Sequence, residues 1–238
     1  MNVEATIEKP ETVERTAHTP FAPVIGCATP YYQDSHTTIY LGDCREILAS
    51  GQLPKANLVL TDPPYGIGES YASHDDTKLN LKQLINESIG LIRSAAPAVL
   101  LTPGVANVHD YPKPDWMMAW VTPAGSGSGP WGFCCWQPVL AYGKCPYLSR
   151  GLGRRHDYII HTESAEKNGH PCPKPLGLWK LLMVRGSPNE GELILDPFMG
   201  SGTTLLAAKE TNRRAIGIEI EEKYCEIAAR RLAQGVML

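Results

Sequence analysis

The sequence has no apolar run of the roughly 18 residues that a membrane-spanning helix requires, so the transmembrane class is not expected. Its first residues, MNVEATIEKPETVERT, are acidic and lack the apolar core of a signal peptide, which makes a cytoplasmic protein the expectation. No Cys-x-x-Cys pair occurs among the seven cysteines, and no His-x-x-x-His spacing accompanies a cysteine pair. We therefore expect reduced thiols and no metal site.

The chain also lacks the strong positive charge that would indicate a nucleic-acid partner, because its formal net charge is −3. Basic residues are nevertheless concentrated in one part of the chain. Residues 144–185 contain eight Lys and Arg against three acids, whereas residues 1–36 contain two against five. A basic segment in an acidic chain suits contact with phosphate, although on charge alone a solvated loop fits equally well.

Apolar patterning predicts strands and helices that alternate along most of the chain. Residues 1–36 show no periodicity and are predicted to form a flexible tail ahead of one domain over residues 37–238. The strands are predicted at 38–41, 57–62, 98–102, 116–121, 135–142, 156–161, 193–196 and 215–219. The helices are predicted at 44–50, 78–94, 175–185, 202–210 and 221–232. This alternation predicts an α/β fold with a mostly parallel sheet and helices on both faces.

A glycine turn follows one of the buried strands, in the stretch LILDPFMGSGTT at residues 193–204. Open α/β sheets bind ligands beyond the carboxyl ends of their strands, often over such a turn. The next strand ends at Glu219, about 20 residues on, where nucleoside-binding folds place the acid that accepts ribose hydroxyls. The Walker lysine is missing, because Ser201-Gly202-Thr203 stands in its place, and so is the third glycine of a dinucleotide fingerprint. The pattern therefore indicates a nucleoside cofactor and disfavours ATP hydrolysis and nicotinamide chemistry.

A second strand end carries Asp62-Pro63-Pro64-Tyr65. The two prolines remove backbone donors and leave carbonyl oxygens as acceptors, to which Asp62 adds a carboxylate. An NH₂ group would find an acceptor for each of its protons there. Tyr65 offers a ring face on which a base could stack, a contact worth about 1–3 kcal/mol. The pattern therefore predicts a site for a flat aromatic amine.

These two motifs together resemble the amino-group DNA methyltransferases, which methylate adenine N6 or cytosine N4 with S-adenosylmethionine. The segment LGD at 41–43 resembles the family's acidic strand end near the cofactor adenine, and HPCPKP at 170–175 resembles its H-P-x-x-K-P segment. The catalytic motif precedes the glycine-rich motif, as in the circularly permuted β class. The resemblance covers roughly residues 38–233 and implies a Rossmann-like methyltransferase fold that binds S-adenosylmethionine.

The resemblance also implies a role for each matching residue. Asp62 and the Pro63 carbonyl would accept the two amine protons, Pro64 would complete the acceptor turn, and Tyr65 would stack on a base flipped out of the duplex. Glu219 would hold the ribose hydroxyls, and Asp43 would lie at the adenine end. The remaining residues implied for the cofactor pocket are Asp196, Phe198, Gly200, Ser201, Gly202, Thr203 and, more weakly, Lys174.

For recognition, the resemblance leaves a short insertion at about 145–169, after a predicted core segment WGFCCWQPVLAYGK at 131–144. Arg150, Arg154 and Arg155 are the predicted DNA contacts, because arginine suits guanine edges and phosphates. The loop at 66–80 is predicted to close over the flipped base. The implied partner is double-stranded DNA, and the implied setting is a bacterial or phage-infected cell. The protein is expected to act as a monomer or homodimer with no membrane association. A cognate restriction nuclease is left open.

The chemistry that the resemblance implies is direct in-line methyl transfer without a covalent intermediate or a metal. The aspartate of DPPY favours adenine N6 over cytosine N4, which stays the alternative, and RNA is a further candidate substrate. A non-catalytic DNA-binding subunit that kept the fold is the contrasting interpretation. Such a copy would be expected to lose Asp62, Tyr65 or the glycines, and this chain keeps them all.

Overall fold

The fold is built on one large sheet. The computed structural model describes residues 29–66, 77–125, 127–167 and 169–234. Within these residues, the strands of the main sheet are β1 Tyr32–Gln33, β2 Thr37–Leu41, β3 Leu58–Thr61, β4 Ala98–Leu101, β5 Trp116–Val121, β8 Trp136–Gly143, β9 Tyr158–Ile160, β10 Leu193–Asp196 and β11 Arg214–Glu219. Two shorter strands, β6 Ser128–Gly129 and β7 Gly132–Phe133, form a separate hairpin.

Helices connect most of these strands. They are α1 Cys44–Ala49, α2 Lys78–Ala95, α3 Pro146–Ser149, α4 Leu176–Gly186, α5 Thr203–Glu210 and α6 Glu222–Ala233, together with a 3-10 helix at Val105–Asp110. Asp43 caps α1 and Thr77 caps α2, each by accepting a hydrogen bond from a backbone N–H of the first turn. No helix in the described part of the chain is long and apolar enough to cross a membrane.

The strand order is β1-β2-β11-β10-β3-β4-β8-β5-β9, and the five strands from β2 to β4 in that order are parallel. Their carboxyl ends therefore lie together along one edge of the sheet, which we call the carboxyl edge; the opposite edge is the amino edge. Strand β8 runs antiparallel to both of its neighbours, β4 and β5. Residues that follow β8 consequently start at the amino edge, and β9 returns toward the carboxyl edge beside β5.

Two apolar layers sandwich the sheet. Helices α4, α5 and α6 pack on one face, where Trp179, Leu182 and Leu205 are almost fully buried. Helices α1 and α2 cover the other face, with Ile47 and Ile85 among the buried side chains. The prediction of an α/β fold with helices on both faces is confirmed. The strands buried on both faces are continuous apolar runs, as expected for a parallel sheet.

Two predicted boundaries need correction. The tail predicted for residues 1–36 is too long, because Tyr32–Gln33 pair with β2 as an antiparallel edge strand; residues 1–28 lie outside the described residues. The segment predicted as core strand from residue 131 begins only at Trp136, and the residues before it form the β6–β7 hairpin. Most of the predicted lid at 66–80 also lies outside the described residues, and Lys78 already belongs to α2.

Candidate active site

A cavity of about 400 Å³ opens at the carboxyl edge between the ends of β3, β10 and β11. It is lined by the whole DPPY turn, by the glycine turn after β10 and by the H-P-x-x-K-P segment. The structure therefore brings together almost every residue that the sequence predicted for catalysis and for the cofactor. Those that line this cavity are Asp43, Asp62, Pro63, Pro64, Tyr65, Lys174, Asp196, Phe198, Gly200, Ser201, Thr203 and Glu219.

The Asp62 carboxylate is held by three donors from different parts of the chain. The Tyr65 hydroxyl donates to Asp62 Oδ1 over 2.6 Å, and the Thr102 hydroxyl donates to the same oxygen. The Lys174 ammonium donates to Oδ2. Hydrogen bonds to an ionised group are stronger and fix its orientation, so this carboxylate is preorganised as an acceptor at the end of β3.

Lys174 also contacts the ring that was predicted to stack on the base. Its ammonium nitrogen lies 4.9 Å from the centroid of the Tyr65 ring, which is a cation–π contact. The lysine side chain is only 11% exposed. The prediction placed Lys174 among the cofactor residues, and the structure places it against Asp62 and Tyr65, which were predicted to be catalytic. Burial, together with the charge of Asp62, raises the pKa of Tyr65 well above its usual value, so the tyrosine is a neutral donor.

Asp196 ties the ends of two strands and a helix together from a fully enclosed position. Thr61 Oγ1 donates to its Oδ1 over 2.6 Å, the Phe198 N–H donates to the same atom, and Thr204 Oγ1 donates to Oδ2. Thr204 in turn accepts from the buried indole N–H of Trp179. Burial raises the pKa of Asp196 to about 6. This carboxylate therefore fixes the DPPY strand relative to the glycine turn.

Glu219 at the end of β11 shapes the glycine turn directly. Its Oε2 accepts the Gly200 N–H over 3.0 Å, and its Oε1 accepts the Glu221 N–H over 2.8 Å. Burial raises the pKa of Glu219 to about 7. Each carboxylate oxygen has a second lone pair, so the group retains acceptor capacity toward a diol in the cavity.

Gly200 can only be glycine in this turn. Its φ of +51° lies in the left-handed region, and a methyl group added there would come 2.8 Å from His170 Nε2. The His170 ring packs on Tyr224 with 4.6 Å between the ring centroids. Burial and the neighbouring Lys174 lower the pKa of His170 to about 4, which keeps the ring neutral. The backbone and the imidazole therefore form a narrow cradle that a side chain would fill.

The remaining cofactor candidates surround the same turn. Gly202 has a φ of +80° and caps α5, while Thr203 begins that helix, so N–H groups at its start point toward the turn. The Ser201 carbonyl accepts from Arg231 over 2.6 Å, which anchors the turn to α6. Asp43 lies across the cavity at the end of β2, and its pKa is lowered mainly by hydrogen bonds from Arg45.

The three arginines predicted to bind DNA lie elsewhere. Arg150 forms an ion pair with Glu192, which directly precedes β10 at the amino edge. The Arg155 guanidinium stacks on the Tyr147 ring at 4.7 Å, and Arg154 lines a second cavity of about 350 Å³ with Arg155, at the amino edge near the start of β4. The structure thus places them at the opposite edge of the sheet from Asp62.

Several residues of the site escaped the sequence analysis because only the fold brings them there. Thr102 follows β4, and Thr204 lies inside α5. Asn107 donates its side-chain N–H groups to the carbonyls of Tyr65 and Pro103. These hydrogen bonds connect the DPPY turn to the segment that follows β4. A polar residue directly after an apolar strand, as at Thr102, is the signal that could have identified one of them. Two buried cysteines are not nucleophiles, because burial raises the pKa of Cys44 and Cys225 to about 12.

Comparison with known proteins identifies what this chain is similar to. Residues 116–230 match the family model described as DNA methylase of the N6/N4 type. The type II methyltransferase M.ScaI of Streptomyces caespitosus is 28% identical over 258 residues, which covers 85% of this chain and 83% of the relative. These matches confirm the resemblance to the amino-group DNA methyltransferase family that the motifs predicted.

Solved structures show the same fold. The M1.HpyAVI complex with S-adenosylmethionine superposes with a TM-score of 0.61 at 24% identity, covering 82% of this chain and 98% of that one. The PvuII cytosine-N4-specific DNA methyltransferase superposes with a TM-score of 0.62 at 18% identity, covering 85% and 88%. The predicted Rossmann-like methyltransferase fold is confirmed by these neighbours.

Proposed function

We propose that the protein transfers a methyl group from S-adenosylmethionine to the exocyclic amine of a base flipped out of double-stranded DNA, with adenine N6 as the target. One observation carries the proposal. A carboxylate preorganised by three donors, Asp62, opens onto the same cavity as a glycine turn buttressed by a buried glutamate. This arrangement supplies an acceptor for an amine beside a place for a nucleoside.

The residues present fit the cofactor in size and in chemistry. A cavity of about 400 Å³ lies within the usual range for ligand sites. Glu219 offers acceptor oxygens for the ribose diol, and Asp43 with Phe198 borders the end that suits the adenine. The turn Gly200-Ser201-Gly202, with Asp196 behind it and Thr203 after it, suits the amino-acid end, because two of its residues have no side chain and N–H groups at the start of α5 suit a carboxylate. When bound, the methyl sulfonium supplies the electrophile.

The DPPY turn performs the complementary task. The amine donates one N–H hydrogen bond to Asp62 and the other to the Pro63 carbonyl, with Pro64 holding the turn. These acceptors localise the nitrogen lone pair and stabilise the positive charge that develops on nitrogen. Tyr65 stacks on the flipped base and keeps Asp62 Oδ1 oriented through its hydroxyl. With the cofactor bound, the nitrogen held by Asp62 and the Pro63 carbonyl would accept the methyl group from the sulfonium, which would leave as a thioether, and the surplus amine proton would pass to solvent.

Lys174 must move during this sequence. In the structure its ammonium donates to Asp62 Oδ2 and lies over a face of the Tyr65 ring. The amine and the base require these two positions. We infer that the lysine holds these two groups in place before the base enters. With the cofactor bound, the lysine would turn toward the glycine turn, which lines the same cavity.

The choice of adenine rests on the aspartate that begins DPPY. Cytosine N4 is the alternative, since an acceptor pair of this kind serves either amine and a cytosine-N4-specific enzyme shares the fold. M.ScaI is named a type II methyltransferase, and a cognate restriction nuclease is therefore part of the proposal. The proposal includes no role for the amino-edge arginines in holding the flipped base.

Transfer of labelled methyl groups from S-adenosylmethionine to duplex DNA and to RNA tests this function. The protein is expected to label DNA, whereas Asp62→Ala is expected to bind the cofactor and to label nothing. Label in RNA but not in DNA would overturn the choice of substrate. A folded protein that neither binds the cofactor nor labels any nucleic acid would overturn the enzyme proposal itself.

A further inference from the structure

The β6–β7 hairpin exposes large aromatic side chains to solvent. Trp131, in the turn of the hairpin, is 100% exposed, and Phe133 is 82% exposed. Trp136, where β8 begins, is 43% exposed, and Ile160 at the end of the neighbouring β9 is 57% exposed. Indole and phenyl rings are usually buried, and a cluster of exposed ones marks an interaction surface. We call residues 127–136 the aromatic hairpin.

The aromatic hairpin is a defined structure. Ser128 pairs with Phe133 and Gly129 pairs with Gly132 in register, and the Cys134 N–H donates to the Gly127 carbonyl over 2.9 Å. The hairpin is therefore fixed on the long strands β5 and β8, whose last antiparallel pair is Val121 with Trp136. The aromatic rings are therefore held by a hairpin that strands β5 and β8 support.

The hairpin rises from the carboxyl edge, beside the candidate active site. Leu101 at the end of β4 pairs with Leu140. Trp136 comes four residues before Leu140, and because β8 is antiparallel to β4 it lies beyond the end of β4. At about 3.3 Å per residue, the base of the hairpin stands about 13 Å beyond the end of β4. Strand β3, which carries Asp62, is two strands from β8, or about 10 Å across the sheet. The aromatic hairpin thus lies at the same edge of the sheet as the cavity, on its β8 side, although none of its residues lines the cavity.

The charge of this surface suits an anionic partner that is bound through its bases. From Trp116 to Gly143 the sequence contains no Asp, Glu, Lys, Arg or His. The hairpin has no carboxylate, which would repel phosphate. It also has no cation, which would bind the phosphate backbone in preference to the bases. Apolar and aromatic wedges of this kind enter between base steps or stack on exposed bases.

We propose that the aromatic hairpin is the duplex-contacting wedge of this enzyme, with Trp131 and Phe133 stacking on bases next to the flipped nucleotide. The inference rests on the proposed function, since it takes DNA as the substrate. It also provides a DNA contact at the carboxyl edge, where the arginines predicted for that role are absent. The wedge would hold open the gap that the flipped base leaves and so favour the flipped state.

The test compares Trp131→Ala and Phe133→Ala with Trp116→Ala. Trp116 is the matched control, because it is an exposed tryptophan on β5 at the amino edge. Methylation is measured on a fully paired duplex and on the same duplex with the target base mispaired, and DNA binding is measured by fluorescence anisotropy. We expect each hairpin variant to lose about tenfold in kcat/KM on the paired duplex and to lose much less on the mispaired one. The control should match the wild-type protein.

Equal losses on both duplexes, or none, would overturn the wedge. A hairpin variant that changes the oligomeric state and leaves DNA binding intact would assign the surface to a second copy of the chain instead. Failure of the proposed function looks different, because the wild-type protein itself would then methylate neither duplex. The anisotropy measurement still reports on the hairpin in that case, and unchanged DNA affinity in both variants would refute the proposal.

Discussion

Asp62→Asn changes the central acceptor of the site while keeping its shape. The amide has one acceptor oxygen where the carboxylate has two, and it adds an N–H donor that must face either Lys174 or the hydroxyls of Tyr65 and Thr102. The lost charge-assisted hydrogen bond from Lys174 contributes about 1.5–3 kcal/mol, because both side chains are mostly buried. The catalytic loss should be larger. Removing one preorganised group at a developing charge lowers kcat by about 10²–10³-fold.

Single-turnover methylation of duplex DNA measures this effect without interference from product release. The affinity for S-adenosylmethionine, measured by calorimetry, should stay within about threefold of the wild-type value, because the amide still fits the cavity. Thr102→Val is the graded control: it keeps the carboxylate and removes one orienting donor, so a loss of about tenfold is expected. An Asp62→Asn protein that kept more than a tenth of the wild-type rate would refute the role given to the carboxylate.

Three further predictions concern the cofactor side. Gly200→Ala should abolish cofactor binding and should destabilise the protein in urea unfolding by more than the backbone cost of about 1–2 kcal/mol, because its methyl group would also meet an imidazole at 2.8 Å. Gly191→Ala, with a similar φ of +73° and open space around it, should show only that backbone cost. The pKa of Glu219 is raised to about 7, so its carboxylate is protonated at lower pH. Calorimetry should therefore show cofactor affinity falling about tenfold from pH 8 to pH 6, and no such slope in Glu219→Gln. Thr61→Val should cost about 1–3 kcal/mol in urea unfolding at pH 7, because it removes a donor from the buried Asp196; an unchanged midpoint would contradict that role.

The sequence predicted the cofactor strand and its turn well. Leu193–Asp196 was predicted with its observed bounds, because a short apolar run ending in Asp-Pro and a glycine pair has one ready interpretation in an α/β fold. Long-range partners could not be predicted in this way. The hydroxyl of Thr61 meets Asp196 only after strand β3 has paired with β10, and sequence spacing contains no information on that register.

Strand direction explains the largest discrepancy. The basic residues Arg150, Arg154 and Arg155 were predicted to contact DNA from their charge and from their position between the motifs. Alternating strands and helices predicted a mostly parallel sheet, yet β8 runs antiparallel and delivers the chain to the amino edge. Apolar patterning is the same for a strand in either direction, so the pattern could not reveal it. The same reversal places the aromatic hairpin, of which residues 131–136 were predicted as part of a core segment, at the carboxyl edge.

Mass analysis of nucleosides, after DNA methylated by this protein has been digested, tests the central claim most directly. The account predicts N6-methyladenine as the product, and its disappearance when Asp62→Ala replaces the wild-type protein. N4-methylcytosine would keep the amine chemistry of the site and correct the choice of base. A methyl group on a ring carbon, such as 5-methylcytosine, would contradict the account, because acceptors for two N–H protons have no function in that reaction.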